Sequence, residues 1–288
     1  MLKTIPTIQE FRKWRKGITG SIGFIPTMGA LHDGHLSLVE ESIGTCQNTI
    51  VSIYLNPAQF APGEDLSRYP KTIDTDIKKL SYFQIDCVFL PNDSEMYPKE
   101  FSTQIQENIL SRVLEGNSRP GFFTGVTTIV AKLFNIIEPT HVFFGEKDAQ
   151  QLRIVEKLVT DLNYPIQIIS CPIIREENGL AMSSRNEYFN NGERIIAATI
   201  QQALKEGKNL IISGERSSKI IRKKIIHRIS SEKLLTIDYV SVADSKTLIE
   251  ISDKIKEDVL VSVAVYLGEI RLIDNFSYSV SSWKSKIH

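Results

Sequence analysis

The 288-residue chain has no surplus of either charge: lysine plus arginine number 34, and aspartate plus glutamate also 34. That balance excludes a general attraction to nucleic acid or to an anionic bilayer, so any cationic site has to be local. Cysteine is scarce. Cys46, Cys87 and Cys171 are far apart, odd in number and without a Cys-x-x-Cys spacing. They argue against a disulfide framework and for buried free thiols in a reducing compartment. No apolar run approaches the roughly 20 residues of a membrane span. The opening MLKTIPTIQEFRKWRKG lacks the apolar stretch of a signal peptide, and a cytoplasmic protein is expected. There is neither a Walker-type lysine loop nor a Gly-x-Gly-x-x-Gly. Internal repeats and low-complexity tracts are absent too.

What is there is ordinary globular composition, 42% hydrophobic and 24% charged, in a chain long enough for one large domain or two smaller ones. Short apolar runs at 21–26, 49–55, 87–90, 141–144 and 166–171 read as strands. Helical patterns at 8–16, 34–42, 72–82, 126–137 and 148–162 separate them. Strands apolar on both faces and alternating with helices predict a doubly wound, Rossmann-like parallel sheet, with ligands beyond the C-terminal strand ends. The pattern changes at the charged turn Arg175–Gly179. Beyond it come helices at 191–207, with Asn190 and Glu193 as a capping box, and at 217–230. Segments 235–242, 259–267 and 269–273 then read as strands. In the second of these, Val259, Val261, Val263 and Val265 face one way and Leu260, Ser262, Ala264 and Tyr266 the other. The prediction is a domain over 1–176 and a smaller C-terminal α+β lid domain over 177–288, with a frayed polar tail from Ser281.

Two of the five histidines lie three residues apart in PTMGALHDGHLSLVE, residues 26–40. A strand runs into Gly29, and Gly34-His35 opens a helix. Such a turn presents backbone N–H groups and the positive end of a helix dipole, which suits phosphate. His32 and His35 share one side of the turn and can donate to phosphate oxygens. Two surface histidines beside a helix cap fit the same pattern. A metal site does not fit, because no third Cys or His ligand is near in sequence.

Other stretches repeat the theme. In VSIYLNPAQF (51–60) a strand ends at Asn56-Pro57, and Gln59 offers a neutral amide for a hydroxyl or carboxylate. Taken alone, Gln59 reads better as a solvent-facing turn residue. In FFGEKDAQQL (143–152), Asp148 and Gln151 fit the first and fourth positions of a helix cap. Capping does not explain Lys147, since a cation at a positive helix end calls for an anion. LAMSSRN (180–186) has two hydroxyls and a guanidinium, as a polyphosphate clamp needs, or a polar interdomain loop. In RPGFFTGV (119–126), Pro120 and Gly121 mark a rigid turn. Handling phosphates by His, Lys and Ser/Arg suits attack at the α-phosphate of ATP with pyrophosphate leaving.

Taken in order, these stretches resemble the pantothenate synthetase (pantoate–β-alanine ligase) family over nearly the whole chain. PTMGALHDGHLSLVE resembles the family's ATP-binding signature. SIYLNPAQF, with Glu64, Asp65 and Arg68-Tyr69-Pro70 after it, resembles the pantoate-binding segment. RPGFFTGV, KLFNIIEPTHVFFGEKDAQQL and REENGLAMSSRNEYF follow in family order, and YLGEIRLIDN resembles the C-terminal signature. The histidine and Met-Ser-Ser-Arg stretches also resemble the two signatures of the wider nucleotidyltransferase superfamily.

The resemblance implies ATP-dependent condensation of (R)-pantoate with β-alanine through a pantoyl adenylate, giving pantothenate, AMP and pyrophosphate. It implies that Met28, Gly29, Ala30, Leu31, His32, Asp33, Gly34 and His35 bind ATP, His35 as the catalytic histidine. Gly145, Glu146, Lys147 and Asp148 would bind ATP as well, with Lys147 on the phosphates. Ile174 would meet the adenine, and Met182, Ser183, Ser184 and Arg185 the triphosphate. Gln59 and Gln151 would contact pantoate, and Gln59 later β-alanine. Mg2+ would bridge ATP phosphates, with no protein residue assigned to it. A homodimer is implied, with no nucleic-acid or membrane partner. The family commonly has His where Phe122 stands and Arg where Thr124 stands, so a titratable group and a cation are missing from that loop.

Overall fold

The computed structural model describes residues 2–281. In chain order the elements are β1 (Thr4–Ile5), α1 (Ile8–Arg15), β2 (Ile22–Thr27), α2 (Asp33–Thr45), β3 (Asn48–Ile53), α3 (Ile73–Leu80), β4 (Cys87–Phe89), α4 (Asp93–Met96) and α5 (Glu115–Ser118). Then follow α6 (Phe122–Ile137), β5 (His141–Gly145), α7 (Ala149–Asp161), β6 (Gln167–Cys171), α8 (Asn191–Ala197), α9 (Thr199–Ile212), α10 (Ser218–Ile229), β7 (Leu235–Asp244), β8 (Val259–Leu267) and β9 (Ile270–Tyr278). Two compact units share them. The first takes the chain up to Arg112, then Arg119–Glu146 and Gln151–Ile174; the second takes Val113–Ser118, Lys147–Gln150 and the chain from Arg175 onward.

The first unit is built on a parallel sheet in the order β1-β4-β3-β2-β5-β6. Its strands are short and apolar because both faces are covered. Ile25, Val51, Val88 and Phe143 are fully buried and pack with Leu38 and Val39 of α2 and Leu80 of α3. Each such side chain contributes about 1.5–3 kcal/mol on burial. From β2 the chain winds one way to β3 and β4, and the other way to β5 and β6. β2 and β5 therefore flank the switch point, where doubly wound sheets open a crevice at their carboxyl ends.

The five expected strands are β2 to β6, with ends displaced by at most two residues. A sixth, β1, was not expected: two residues carry no periodicity, and it exists through its parallel pairing with β4. α6 begins at Phe122, four residues before the expected start, because Gly121 (φ 85°) turns the chain into it. The helix expected over 191–207 is two helices ending at Ile212. They break at Ala198, which stays right-handed (φ −64°, ψ −17°) and so leaves no proline or glycine mark. The Asn190–Glu193 capping box forms, with bonds of 2.9 and 3.0 Å.

The second unit holds the antiparallel sheet β7-β8-β9. Val259, Val261, Val263 and Val265 pack with Ile200 and Leu204 of α9 and Ile221 and Ile225 of α10. The opposite face is also buried at Leu260, Ser262 and Ala264. Two inserts from earlier in the chain bond to this sheet. Glu115 receives Arg271 at 2.9 Å and the Tyr239 hydroxyl at 2.7 Å, and Arg271 also reaches Asp238 at 2.7 Å. Burial, then the Glu115 charge, pushes the Tyr239 phenol up.

The cysteines are free; Cys87 and Cys171 are buried, whereas Cys46 is partly exposed, against the expectation for all three. Among the described residues no helix is long and apolar enough to cross a membrane. All of the expected frayed tail beyond Ser281 lies outside the described residues.

Candidate active site

The histidine turn leaves the carboxyl end of β2. Gly29 (φ 85°) and Ala30 (φ 51°) are both left-handed, a pair of conformations that needs support. Asp76 of α3 gives it. Its carboxylate, fully buried, accepts the amides of Ala30 at 2.9 Å and Leu31 at 2.8 Å, and the Thr72 hydroxyl at 3.2 Å. Charge-assisted bonds of this kind contribute about 1.5–3 kcal/mol each. Backbone donors expected to face a phosphate are thus turned inward onto Asp76. The outward-facing chemistry of the turn lies in the histidines.

His32 is the N-cap of α2, which starts at Asp33, and His35 is its third residue. The two rings cap each other's backbone. His32 Nδ1 accepts the Gly34 amide at 3.2 Å, and His35 Nδ1 accepts the His32 amide at 3.4 Å. The rings lie 4.1 Å apart, centre to centre. A nitrogen that accepts has no proton, so each neutral ring carries its proton on Nε2. The helix terminus thereby holds two imidazole N–H donors beside its positive dipole end. The cap alternative and the phosphate alternative are therefore not rivals: Nδ1 caps, and Nε2 carries the donor.

Gln59 is not a solvent-facing residue. It ends the short 3-10 turn Pro57–Gln59 and is 8% exposed. Its carbonyl oxygen accepts from Asn56 at 2.8 Å, and Asn56 is set by the Tyr97 hydroxyl at 2.9 Å and by the Gly125 carbonyl at 3.2 Å. This fixes the amide so that its NH2 faces away from Asn56. Arg119 holds the same turn from outside, donating to the Gln59 carbonyl at 3.0 Å and pairing with Glu64 at 2.6 and 2.7 Å. Phe122 lies flat against that guanidinium, 3.9 Å from its carbon. The phenyl ring thus makes a cation–π contact with Arg119, where an imidazolium would repel it. A cavity of about 900 Å3 borders the other side of the histidine turn, lined by Met28, Gly29, Ile53, Tyr54, Phe60 and Asp93 among others.

Gly145 ends β5, beside β2, so it and Glu146 emerge from the same sheet edge as the histidine turn. Glu146–Asp148 form a 3-10 turn leading into α7 at Ala149. The expected cap between Asp148 and Gln151 does not form. The 3-10 turn supplies the first helical bonds instead, and Gln151 makes no side-chain hydrogen bond among the described residues. Gln150, next to it, is the structural amide, receiving the Glu115 amide at 3.0 Å and donating to the Val113 carbonyl at 2.7 Å. Ile174 closes the first unit, half-buried.

Lys147, Asp148 and the Met182–Ser183–Ser184–Arg185 stretch belong to the second unit. Lys147 is 3.8 Å from Asp148, and its side chain is 21% exposed. Ser183 caps the 3-10 turn Ser184–Tyr188, accepting the Arg185 amide at 3.3 Å. The loop before it is braced by Glu176, which takes Asn186 and Arg194, each at 2.8 Å. Sequence reasoning missed Asp76, which lies in none of the quoted stretches, and gave Asn56, Arg119 and Glu176, which lie within them, no bracing role. Among the described residues no group of three or more His, Cys, Asp or Glu side chains is placed to hold a metal ion.

A parallel sheet whose switch point carries a histidine-capped helix defines the class, a Rossmann-like α/β protein with a smaller α+β unit. The family model described as pantoate-beta-alanine ligase matches residues 1–277. A pantothenate synthetase of Clostridium botulinum (strain 657 / Type Ba4) is 49% identical over 280 residues, covering 97% of this chain and 99% of that protein. The crystal structure of pantothenate synthetase from Thermus thermophilus superposes with a TM-score of 0.91 at 37% identity, covering 96% and 99% of the two chains. A pantoate-beta-alanine ligase of Francisella tularensis, solved with beta-gamma ATP and beta-alanine, gives a TM-score of 0.78 at 32% identity, covering 96% and 97%. The chain belongs to the pantoate–β-alanine ligase family.

Proposed function

We propose that this chain joins pantoate to β-alanine with ATP, taken as its magnesium complex, through a pantoyl adenylate. The observation that carries the reading is the reciprocal histidine cap, which fixes two Nε2–H donors at the start of α2. In the first step a pantoate carboxylate oxygen bonds to the α-phosphorus, and the bond to pyrophosphate breaks. Little covalent help is needed; positioning and charge stabilisation dominate. His35 and His32 donate to phosphate oxygens, while Lys147 and Arg185 neutralise charge that grows toward pyrophosphate. Loss of one such group costs about 3–4 kcal/mol in the barrier. Gln59 and Gln151 orient pantoate. Met28, Gly29, Asp33, Gly34, Gly145, Glu146 and Asp148 form the remaining ATP contacts, with Ala30 and Leu31, their amides held by Asp76, shaping the turn behind them, Ile174 at the adenine and Met182, Ser183 and Ser184 at the triphosphate.

In the second step the neutral β-alanine amine attacks the acyl carbon. The C–N bond forms, the acyl–oxygen bond breaks, AMP leaves with the electron pair, and the amine gives up a proton. Water has to be kept out, or the adenylate hydrolyses. The enzyme acts in the cytoplasm as a homodimer. The test is AMP release from purified protein given ATP, pantoate and β-alanine. Release requiring both acids is expected. A nucleotide-linked product, or AMP release indifferent to β-alanine, would overturn the reading.

A further inference from the structure

β9 carries two adjacent buried polar residues, Asp274 (4% exposed) and Asn275 (5%). Neither amide nor carboxylate is favoured in a strand, and each needs full satisfaction when buried. Side chains alternate along a strand, so the two point to opposite faces. On the core face Asp274 takes Arg175 in a two-pronged pair at 2.7 and 3.0 Å. The same guanidinium donates to the Gly179 carbonyl at 3.1 Å, fixing the turn that precedes Met182–Arg185. On the other face Asn275 donates its Nδ2 to the backbone carbonyl of Lys147 at 2.8 Å. The carbonyl is a pure acceptor, so it also fixes which way the amide faces.

We propose that Asn275 is the positioning residue for Lys147, and that the Asp274–Asn275 pair registers the Lys147 turn and the Ser183–Arg185 turn to each other through one strand. A pair in which only Asp274 is buried and Arg175 is partly exposed is poor evidence for stability by itself, but it specifies geometry well. The cations that meet the triphosphate are then held at a set spacing before ATP arrives, which is where positioning lowers a barrier. This rests on the role given to Lys147 above.

The test is pantoate-dependent ATP–pyrophosphate exchange by wild type, N275A, K147A, the double variant and L272A. Leu272 lies on the core face of the same strand, so L272A reports destabilisation of β9 alone. In N275A, kcat/KM for ATP should fall about 10- to 100-fold with pantoate KM held, and N275A should add little once Lys147 is gone. L272A should melt lower with kcat/KM for ATP within twofold of wild type. An active wild type with N275A within twofold for ATP, or equal losses in N275A and L272A, overturns the inference and leaves the proposed function standing. Near-normal K147A overturns both the inference and the role of Lys147. Wild type without exchange overturns the proposed function itself. If N275A fails to fold, N275D is read by the same cycle, since its carboxylate faces the Lys147 carbonyl and cannot donate to it.

Discussion

Gly125 lies in the first turns of α6, and a methyl group there separates two effects of opposite sign. A Cβ on Gly125 would stand 2.2 Å from the Ala58 carbonyl oxygen, 2.6 Å from its carbon and 3.1 Å from the Gln59 nitrogen. All three are backbone atoms, so no rotamer change relieves them. Ordinary contact needs about 3.5 Å or more, and α6 must part from the Gln59 turn by roughly 1 Å. Overpacking of this kind costs about 1–3 kcal/mol, and stretching the Asn56 bond to the Gly125 carbonyl adds about 0.5–1.5 kcal/mol. Helix propensity pulls the other way by about 1 kcal/mol. The net is a loss of about 0.5–3.5 kcal/mol, or several degrees in melting temperature at about 2–4 °C per kcal/mol. Because the displaced turn carries Gln59, pantoate KM should rise as well. Gly44 is the control: it lies in the last turn of α2 with no heavy atom within 4 Å of an added Cβ. Gly44→Ala should gain about 0.5–1 kcal/mol. Thermal melts and initial rates against pantoate read both variants. Gly125→Ala melting at or above wild type, in step with Gly44→Ala, refutes the close-approach argument.

Three further outcomes are expected. His35→Ala and Lys147→Ala should abolish adenylate formation while circular dichroism stays native; near-normal ATP–pyrophosphate exchange in either would contradict the phosphate roles. Asp76→Ala leaves the buried Ala30 and Leu31 amides without their acceptor, and should cost about 3 kcal/mol or more in urea unfolding; a loss under 1 kcal/mol would show the turn stands without it. Burial raises Cys87 to about 12, Cys171 to about 11 and Tyr97 to about 12. Their unfolded values are lower, so the unfolded chain loses these protons first. This stability is complete below about pH 8.5 and is lost as pH climbs through 9 to 12. Urea midpoints flat from pH 8 to 11 would contradict it.

How much was legible depended on how local each cause was. The histidine turn, the strand before it and the helix after it show within residues 21–42, because periodicity and glycine placement are local signals. What holds the turn is not local: Asp76 sits 45 and 46 positions from the amides it takes, and a lone aspartate in a helix has no signature. Gln59 read as exposed because an amide is more often outside than in. Its burial follows from Arg119 and Gly125, both about sixty residues away. The break at Ala198 was invisible because the backbone there remains helical. Asn275 lies beyond the last expected strand, 269–273, and closes the YLGEIRLIDN stretch without a role of its own until the carbonyl it serves, 128 positions back, is seen beside it.

The two inserts bound to the C-terminal sheet also bear on how the chain comes to be folded. Glu115 and Arg271 are separated by 156 residues, and β9 is the last of the described strands to leave the ribosome. Until then, Lys147–Gln150 waits without Asn275 and Glu115 has only Tyr239 of β7, so long-range closure of this kind slows folding. A fragment starting at Arg175 would lack Glu115, the shared acceptor of Arg271 and Tyr239. One ending at Ile174 would carry the Glu115 carboxylate without the Arg271 and Tyr239 groups that donate to it. The chain is thus two units in space but a single unit in synthesis, and the Lys147 carbonyl gains its Asn275 donor only when β9 is made.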